Sequence, residues 1–470
     1  MTVATIRTNR LSHNALGLPQ IVASTLANIA PAVSFYFGFN VIVAGAGVGA
    51  PLTIIIAMVA ILFLSNTLAE FTKFQPSTGS FVTFIGMAFG PIAGAAASLF
   101  AVVGYAIAAA AIVAIAGGWA HDTIKLFLGF DVPWQLLAIV CTAGSGILVA
   151  RGVKISTTWA AVFFYFELGL LLIGAVVMLV VNHGDMSLAP FKPSNISGGL
   201  AGIGLGFPLA VYMFVGWENS ATLAEETKNP RKNIPRALVA GTLTLGLVYI
   251  FLAYATEVAF HNDAKAISAS SIPFIDALKI SYPPLLLVAY LAGITSILSC
   301  LLGLTNSQAR ILFSAAREGL LHRVFSTIHR EHETPAVAMW SYLVLALVIA
   351  LAFGWTLDPV DIFGDTGTLG TIPIVVIYLV TNLALPVYVL RFQRQHFSVL
   401  RHAVIPVFAL LLILFPLWGL IQPGQPAPFN LFPAIVGVGL VISIIYGVLM
   451  ARRNPDLSLK IGSYVADERA

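Results

Sequence analysis

The sequence predicts an all-α integral membrane protein with 12 transmembrane helices, and three observations carry that reading. Only 9% of the 470 residues are charged, 59% are hydrophobic and the mean hydropathy is +0.93. A soluble domain carries about 25% charged residues. Long apolar segments recur along the chain, most of them near the roughly 20 residues that a helix needs to cross a bilayer. The basic residues fall on alternate connectors. With a cytoplasmic N-terminus, 20 of the 24 Lys and Arg lie on the cytoplasmic side, leaving Lys125, Lys192, Lys265 and Lys279 outside. The positive-inside rule selects that orientation and rejects its inverse.

The expected spans are 18–45, 51–72, 91–118, 134–150, 157–182, 199–226, 237–259, 285–315, 335–354, 362–390, 402–421 and 430–450. The fourth is short. The first, sixth and eighth are long, which permits tilting, breaking or extension beyond the membrane. Residues 1–17 hold Arg7, Arg10 and His13 without an apolar core. They are read as a cytoplasmic segment, with the first span as an uncleaved insertion signal. The longest external stretch, 261–284, is polar with a few apolar residues. The tail 452–470 is expected to be flexible, and an even number of spans places both termini in the cytoplasm.

Two spans are interrupted. The first contains Asn28-Ile29-Ala30-Pro31-Ala32-Val33-Ser34, and the sixth runs through Phe214-Val215-Gly216-Trp217-Glu218-Asn219-Ser220 before resuming. Proline, glycine and a carboxylate are costly inside hydrocarbon unless a site needs them. Interruptions at corresponding positions of two halves point to a transporter's binding site near the midplane. A broken helix frees N–H groups at one end and C=O groups at the other. The N-terminus of the second half-helix suits a carboxylate, and the C-terminus of the first suits a cation. Two antiparallel broken helices can therefore bind a zwitterion. The plainer alternatives are a proline kink in the first span and a tight helix crossing in the sixth.

Glu167 lies mid-span in Phe163-Phe164-Tyr165-Phe166-Glu167-Leu168-Gly169. A carboxylate at that depth costs about 2.5–3.5 kcal/mol on insertion scales. It reads as a proton carrier or a counter-charge, with a hydrogen-bonded packing residue as the alternative. Tyr105, Ser296, Ser299, Tyr378 and Asn382 are candidates to face a central cavity. Glu70 reads as reaching the interface, Asp365 as a cap of the tenth span, and Glu225 and Glu226 as a surface cluster with Lys228, Arg231 and Lys232. Gly202-Ile203-Gly204-Leu205-Gly206 has no preceding strand and reads as close helix packing. Cys141 and Cys300 read as small buried hydrophobes. No cofactor and no metal site is read.

The segment Phe214-Val215-Gly216-Trp217-Glu218, followed by Ala224-Glu225-Glu226-Thr227-Lys228-Asn229-Pro230-Arg231-Lys232-Asn233-Ile234-Pro235-Arg236-Ala237, resembles the amino acid–polyamine–organocation transporter superfamily. So do Leu68-Ala69-Glu70-Phe71 with Pro76-Ser77-Thr78-Gly79-Ser80-Phe81, Gly152-Val153-Lys154-Ile155-Ser156, and Ala309-Arg310-Ile311-Leu312-Phe313 with Ala316-Arg317-Glu318-Gly319-Leu320. The resemblance implies a LeuT-type 5+5 inverted repeat with discontinuous helices 1 and 6. Residues 18–182 and 199–390 would be the two repeats, 402–450 two further helices, and 451–470 a cytoplasmic tail. Substrate would sit between spans 1, 3, 6, 8 and 10. Two departures stand out. The first break lacks the Gly-Ser-Gly-like sequence of many members. The position where several proton-coupled relatives carry a lysine is Glu167 here.

The reading from sequence is a permease of the cell membrane, moving an amino acid by alternating access and coupled to protons. Ala30, Pro31, Ala32, Val33, Ser34, Tyr105, Phe214, Gly216, Trp217, Glu218, Ser296 and Tyr378 are the expected substrate site, with Glu167 as the proton-coupling residue. The alternative substrate is a polyamine or other organic amine, moved by transport or exchange, with Glu167 and Glu218 pairing with ammonium groups. The expected partners are the small molecule, the proton and the lipid bilayer, with no nucleic acid. An intramembrane enzyme would need a convergent pair such as His-Glu-x-x-His, which the sequence lacks. A sensor would be expected to carry a soluble domain, and broken helices favour a carrier over a channel.

Overall fold

The computed structural model describes residues 11–466. Arg7, Arg10 and Arg469 of the orientation count lie outside the described residues. Among those described there is no strand, only an isolated parallel bridge between Leu16 and Thr227. The chain begins with α1 (Leu18–Ile29), α2 (Pro31–Ala46), α3 (Ala50–Phe74), α4 (Ser80–Phe89), α5 (Pro91–Leu128) and α6 (Trp134–Ala150). It continues with α7 (Val153–Val181), α8 (Leu200–Tyr212), α9 (Asn219–Thr222), α10 (Pro230–Ala259), α11 (Ala264–Ala269) and α12 (Pro273–Ser281). The last third holds α13 (Leu286–Arg317), α14 (Ala336–Phe353), α15 (Pro359–Phe392), α16 (Ile405–Ile421), α17 (Phe432–Arg453) and α18 (Leu457–Lys460). Nine helical stretches among the described residues are long and apolar enough to cross a membrane, the first of them running through α2 and α3.

Proline marks many helix starts. Pro31, Pro51, Pro91, Pro230 and Pro359 each stand in the first two positions of their helix. There the missing N–H would have had no intrahelical acceptor. The first span accordingly breaks rather than kinks. Ala30 takes a left-handed conformation (φ 54°, ψ 69°), closes α1, and hands over to Pro31 as the start of a new helix.

Close approach is made by small residues. A Cβ on Gly206 would lie 2.8 Å from the Ile42 carbonyl oxygen, and one on Gly202 would lie 2.8 Å from that of Gly45. The glycine run of the sixth span thus seats α8 on α2 through small residues. Gly104 and Gly370 perform the same service where α5 crosses α15, against Pro373 and Ala108.

Several expectations are corrected. The tail is not free: Leu457 and Ile461 are buried, and the Ala466 amide donates to the Pro76 carbonyl at 3.1 Å. Asp365 lies inside α15, whose N-cap is Asp358. Glu226 is fully buried against Arg310, and Glu225 pairs with Arg317 rather than with a surface cluster. Glu70 is buried too, held by Lys73 at 2.6 Å and by His402 at 3.2 Å. Asn382 lines neither of the two cavities described below; it accepts from the Thr67 hydroxyl at 2.6 Å and donates to the Pro406 carbonyl. Residues 261–284 fold into α11 and α12, which pack on α2. Cys300 is buried, whereas Cys141 is half-buried.

Candidate functional site

The two broken helices cross at their breaks. α2 packs on α8 and α1 on α9, so the two chains run antiparallel. The α1 end is tied to the sixth-span loop by side chains of both. The Asn28 amide donates to the Gly216 carbonyl at 3.3 Å, Asn219 donates to the Ser24 carbonyl at 3.0 Å, and the Thr25 and Ser220 hydroxyls lie 2.6 Å apart. Gly216 has φ +106°, a region that side chains rarely adopt. A Cβ there would also lie 2.8 Å from the Asn28 amide nitrogen. Gly216→Ala is therefore expected to destabilise the fold by about 1–3 kcal/mol, the usual cost of one strained backbone position. A thermal melt in detergent measures it, and an unchanged midpoint would show that the loop relaxes freely.

Glu167 stands on α7, fully buried at the start of α2. Its Oε1 accepts the Ala32 N–H at 3.1 Å, and the Ser299 hydroxyl of α13 lies 3.3 Å from its Oε2. The Val33 N–H donates to the Ser296 hydroxyl at 3.3 Å. The positive end of α2 is thus capped by the protein's own carboxyl group and a serine. The amides expected to be free for a substrate carboxylate are already engaged. The Ser34 hydroxyl turns back to the Ile29 carbonyl at 2.7 Å, which satisfies one of the acceptors freed at the end of α1.

Glu218 folds back on its own loop. One carboxylate oxygen accepts the Gly216 N–H at 3.1 Å and the other accepts the Tyr105 hydroxyl of α5 at 2.7 Å. Trp217 packs edge-on against Tyr378, with ring centroids 5.7 Å apart, and Phe81 lies 5.2 Å from Tyr378. Phe214 meets Tyr249 edge-on, and the Tyr249 hydroxyl donates to the Met213 carbonyl at 2.9 Å. Asn28 Oδ1, Trp217 Nε1 and the Tyr378 hydroxyl are buried without a hydrogen-bond partner among the described residues. Buried polar atoms of this kind are usually met by water or a ligand.

A cavity of about 70 Å³ opens between the breaks. Val33, Ser34, Tyr105 and Gly216 of the expected site line it. Ala32, Phe214, Trp217, Glu218, Ser296 and Tyr378 do not line it, nor do Ala30 and Pro31 at the break itself. The rest of the wall was not among the expected site residues, although Asn28, Ile29 and Val215 lie in the two breaks. It comes from Asn28 and Ile29, Ala108, Ala109 and Ile112 of α5, Tyr212 and Val215 of the sixth span, Cys300, Leu304 and Gln308 of α13, Tyr342 of α14, and Phe363 and Ile374 of α15. Most are ordinary apolar residues of apolar runs; Asn28, a lone amide before the break, was the clearest signal, and Tyr212, Gln308 and Tyr342 are polar residues that sequence reasoning passed over. No charged side chain lines this cavity. A second cavity of about 580 Å³ lies between α2, α8, α15 and the end of α16. Tyr212 and Phe363 line both.

Below the breaks the packing is closed. Glu226 accepts from the Arg310 Nη2 at 2.8 Å and also from its Nε, and Arg310 reaches the Asn306 carbonyl at 2.7 Å. The Leu16 N–H donates to Glu226 O and the Lys228 N–H to Leu16 O, each at 2.8 Å. Among the described residues no group of three or more His, Cys, Asp or Glu is placed to hold a metal.

Comparison with known proteins agrees with this architecture. The amino acid permease family model matches residues 16–441. The branched-chain amino acid permease of Bacillus subtilis is 24% identical over 442 residues, spanning 87% of this chain and 88% of that protein. The L-methionine/branched-chain amino acid exporter of Escherichia coli is 29% identical, spanning 67% of this chain and 72% of its own length. The methylthioribose transporter of Bacillus subtilis is 24% identical, spanning 65% of this chain and 68% of that protein. The chain therefore belongs to the amino acid permease family, as a multi-pass membrane transporter rather than an enzyme.

Proposed function

We propose that this protein moves a neutral amino acid with a small aliphatic side chain across the cell membrane, driven by protons. The observation that carries the reading is the uncharged, largely apolar cavity, with aliphatic side chains beside a few hydroxyls and amides, at the crossing of the two breaks. About 10–15 Å³ of such space holds one water, so the cavity has room for roughly five waters or a short aliphatic side chain. The named substrates of the branched-chain permease and exporter relatives favour the same class. An organic amine is less well suited. It would seek Glu167 and Glu218, which stand behind the lining and already hold donors.

In this reading the chain crosses the bilayer 12 times with both termini in the cytoplasm. Residues 18–182 and 199–390 form LeuT-type inverted repeats, followed by the two helices of 402–450. The substrate ammonium meets the carbonyl end of α1 and its carboxylate meets the start of α2, beside Ser34. Glu167 supplies the coupling. As an anion it caps α2 and occupies the Ala32 amide; once protonated it holds that amide more weakly, and the substrate carboxylate can take its place. Proton and substrate then bind together because both remove the same internal contact. A ligand drives a conformational cycle only through such differential binding. Tyr212 and Phe363 stand between the outer and inner cavities and separate the site from the outside.

Purified protein in liposomes tests this. Radiolabelled leucine, valine and alanine are compared with polyamines, with and without an imposed inward proton gradient. Gradient-stimulated accumulation of the aliphatic amino acids is expected. Uptake of amines alone would overturn the substrate class, and accumulation driven only by sodium would overturn the coupling ion.

A further inference from the structure

The chain beyond α17 lies across the end of α3, the α4–α5 junction and the end of α13. Leu457 is 1% exposed and sits over Gly319, where a Cβ would come within 3.4 Å of it. Ile461 fills the gap between α4 and α5, against Gly86 and Gly94. The Gly462 amide donates to the Glu318 carboxylate at 3.3 Å, just past the end of α13. From the other side Gln75, at the end of α3, donates to the Gly462 carbonyl at 2.6 Å, and Ala466 bonds Pro76. The Tyr464 ring lies under the Arg317 guanidinium at 4.0 Å, and Arg317 is the partner of Glu225 beyond the sixth-span break.

We propose that residues 454–466 form a strap that holds the cytoplasmic mouth shut, and that the strap must lift before substrate can leave inward. The inference rests on the alternating-access reading above. In that cycle the sixth span and α3 move against α13, and the strap bridges this seam. Gln75 and Pro76 hold it on one side, Glu318 and Gly319 on the other. Its Tyr464 buttresses the Arg317–Glu225 pair across the same seam. It is anchored by the buried Leu457 and Ile461 and is otherwise mostly exposed, so release needs no unfolding of the bundle.

Cys300 supplies a reporter, because it lines the inner cavity. In a Cys141→Ser background, full-length protein and a chain ending at residue 454 are placed in vesicles and labelled from the cytoplasmic face with an impermeant maleimide. Truncation is expected to raise the Cys300 labelling rate by about tenfold. A tenfold shift corresponds to about 1.4 kcal/mol, within what one cation–π contact and a few hydrogen bonds supply. Tyr464→Ala leaves the chain complete and, should the truncated chain fail to fold, gives the same readout, expected at about threefold from loss of the ring contact alone. Equal labelling of the full-length protein and of these variants would overturn the strap and leave the transport reading standing. No labelling from either face in any of them would overturn alternating access, and the strap with it.

Discussion

Glu167→Gln is expected to abolish proton-driven accumulation while leaving substrate exchange largely in place. Glutamine keeps the shape of the carboxyl group, and its carbonyl oxygen can still accept the Ala32 N–H that caps α2. It cannot gain or lose a proton. Under an inward gradient of one pH unit a one-to-one coupled carrier can concentrate a neutral substrate about tenfold, since one unit is worth about 1.4 kcal/mol. The variant should equilibrate its substrate and go no further. Counterflow with unlabelled substrate inside should persist, because exchange needs the two open states but not the proton. Glu167→Ala is predicted to do worse. It also strips the cap from α2, which costs about 0.5–2 kcal/mol, and opens a hole between α2, α7 and α13. Uptake and counterflow measured on one preparation separate these effects. Undiminished accumulation by Glu167→Gln would remove Glu167 from the coupling role.

Much of the fold was legible because the bilayer simplifies the code. Apolar runs long enough to cross, broken by proline and glycine, placed most helices within a few residues, although α5 runs on to Leu128 past the expected 118, α10 starts at Pro230 before the expected 237, and α4, α11 and α12 went unread. The two breaks fell at Asn28-Ile29-Ala30-Pro31 and Gly216-Trp217-Glu218 as expected. The half that holds the Glu226–Arg310 pair was read less well. Charge beside charge in Glu225, Glu226, Lys228 and Arg231 looked like a solvated surface. The true partners, Arg310 and Arg317, are more than 80 residues away in sequence. Local spacing carries no information about such a pairing. The tail was misjudged for a related reason. Leu457 and Ile461 are buried while Leu459 between them is exposed, so local pattern does not mark them, and their burial depends on glycines distant in sequence, Gly319 for Leu457 and Gly86 and Gly94 for Ile461. The site divides in the same way. Glu167 and Glu218 announced themselves by their cost in hydrocarbon, whereas Tyr212, Gln308 and Tyr342 of the cavity wall went unremarked, and Ala108, Ala109, Leu304 and Ile374 are indistinguishable in sequence from lipid-facing neighbours. Periodicity cannot tell which side of an apolar helix meets a cavity.

Breaking the Glu226–Arg310 pair from one side is expected to cost about 3–5 kcal/mol, because the remaining charge is left buried without its counterpart. Both side chains are essentially inaccessible, and Arg310 uses two nitrogens on the carboxylate and a third on Asn306. Glu226→Gln and Arg310→Met should each lower the melting temperature sharply. The double variant, which buries no charge, should recover a large part of the loss, so the cycle gives a coupling well above the 0.2–1 kcal/mol of exposed pairs. Arg310→Lys should rescue poorly, since an ammonium cannot reproduce the planar two-point contact. Melting curves of the four proteins in detergent decide it, and strictly additive losses would show that the pair contributes no more than a surface contact. The functional consequence follows from desolvation. While the mouth is closed the two charges have only each other and Asn306. As it opens, water reaches both, and their hydration offsets the lost attraction. A buried pair at this seam can therefore hold the closed state firmly and still separate without a large net cost. The double variant should transport, but with its cytoplasmic side closed less tightly, and show it as faster Cys300 labelling from that face.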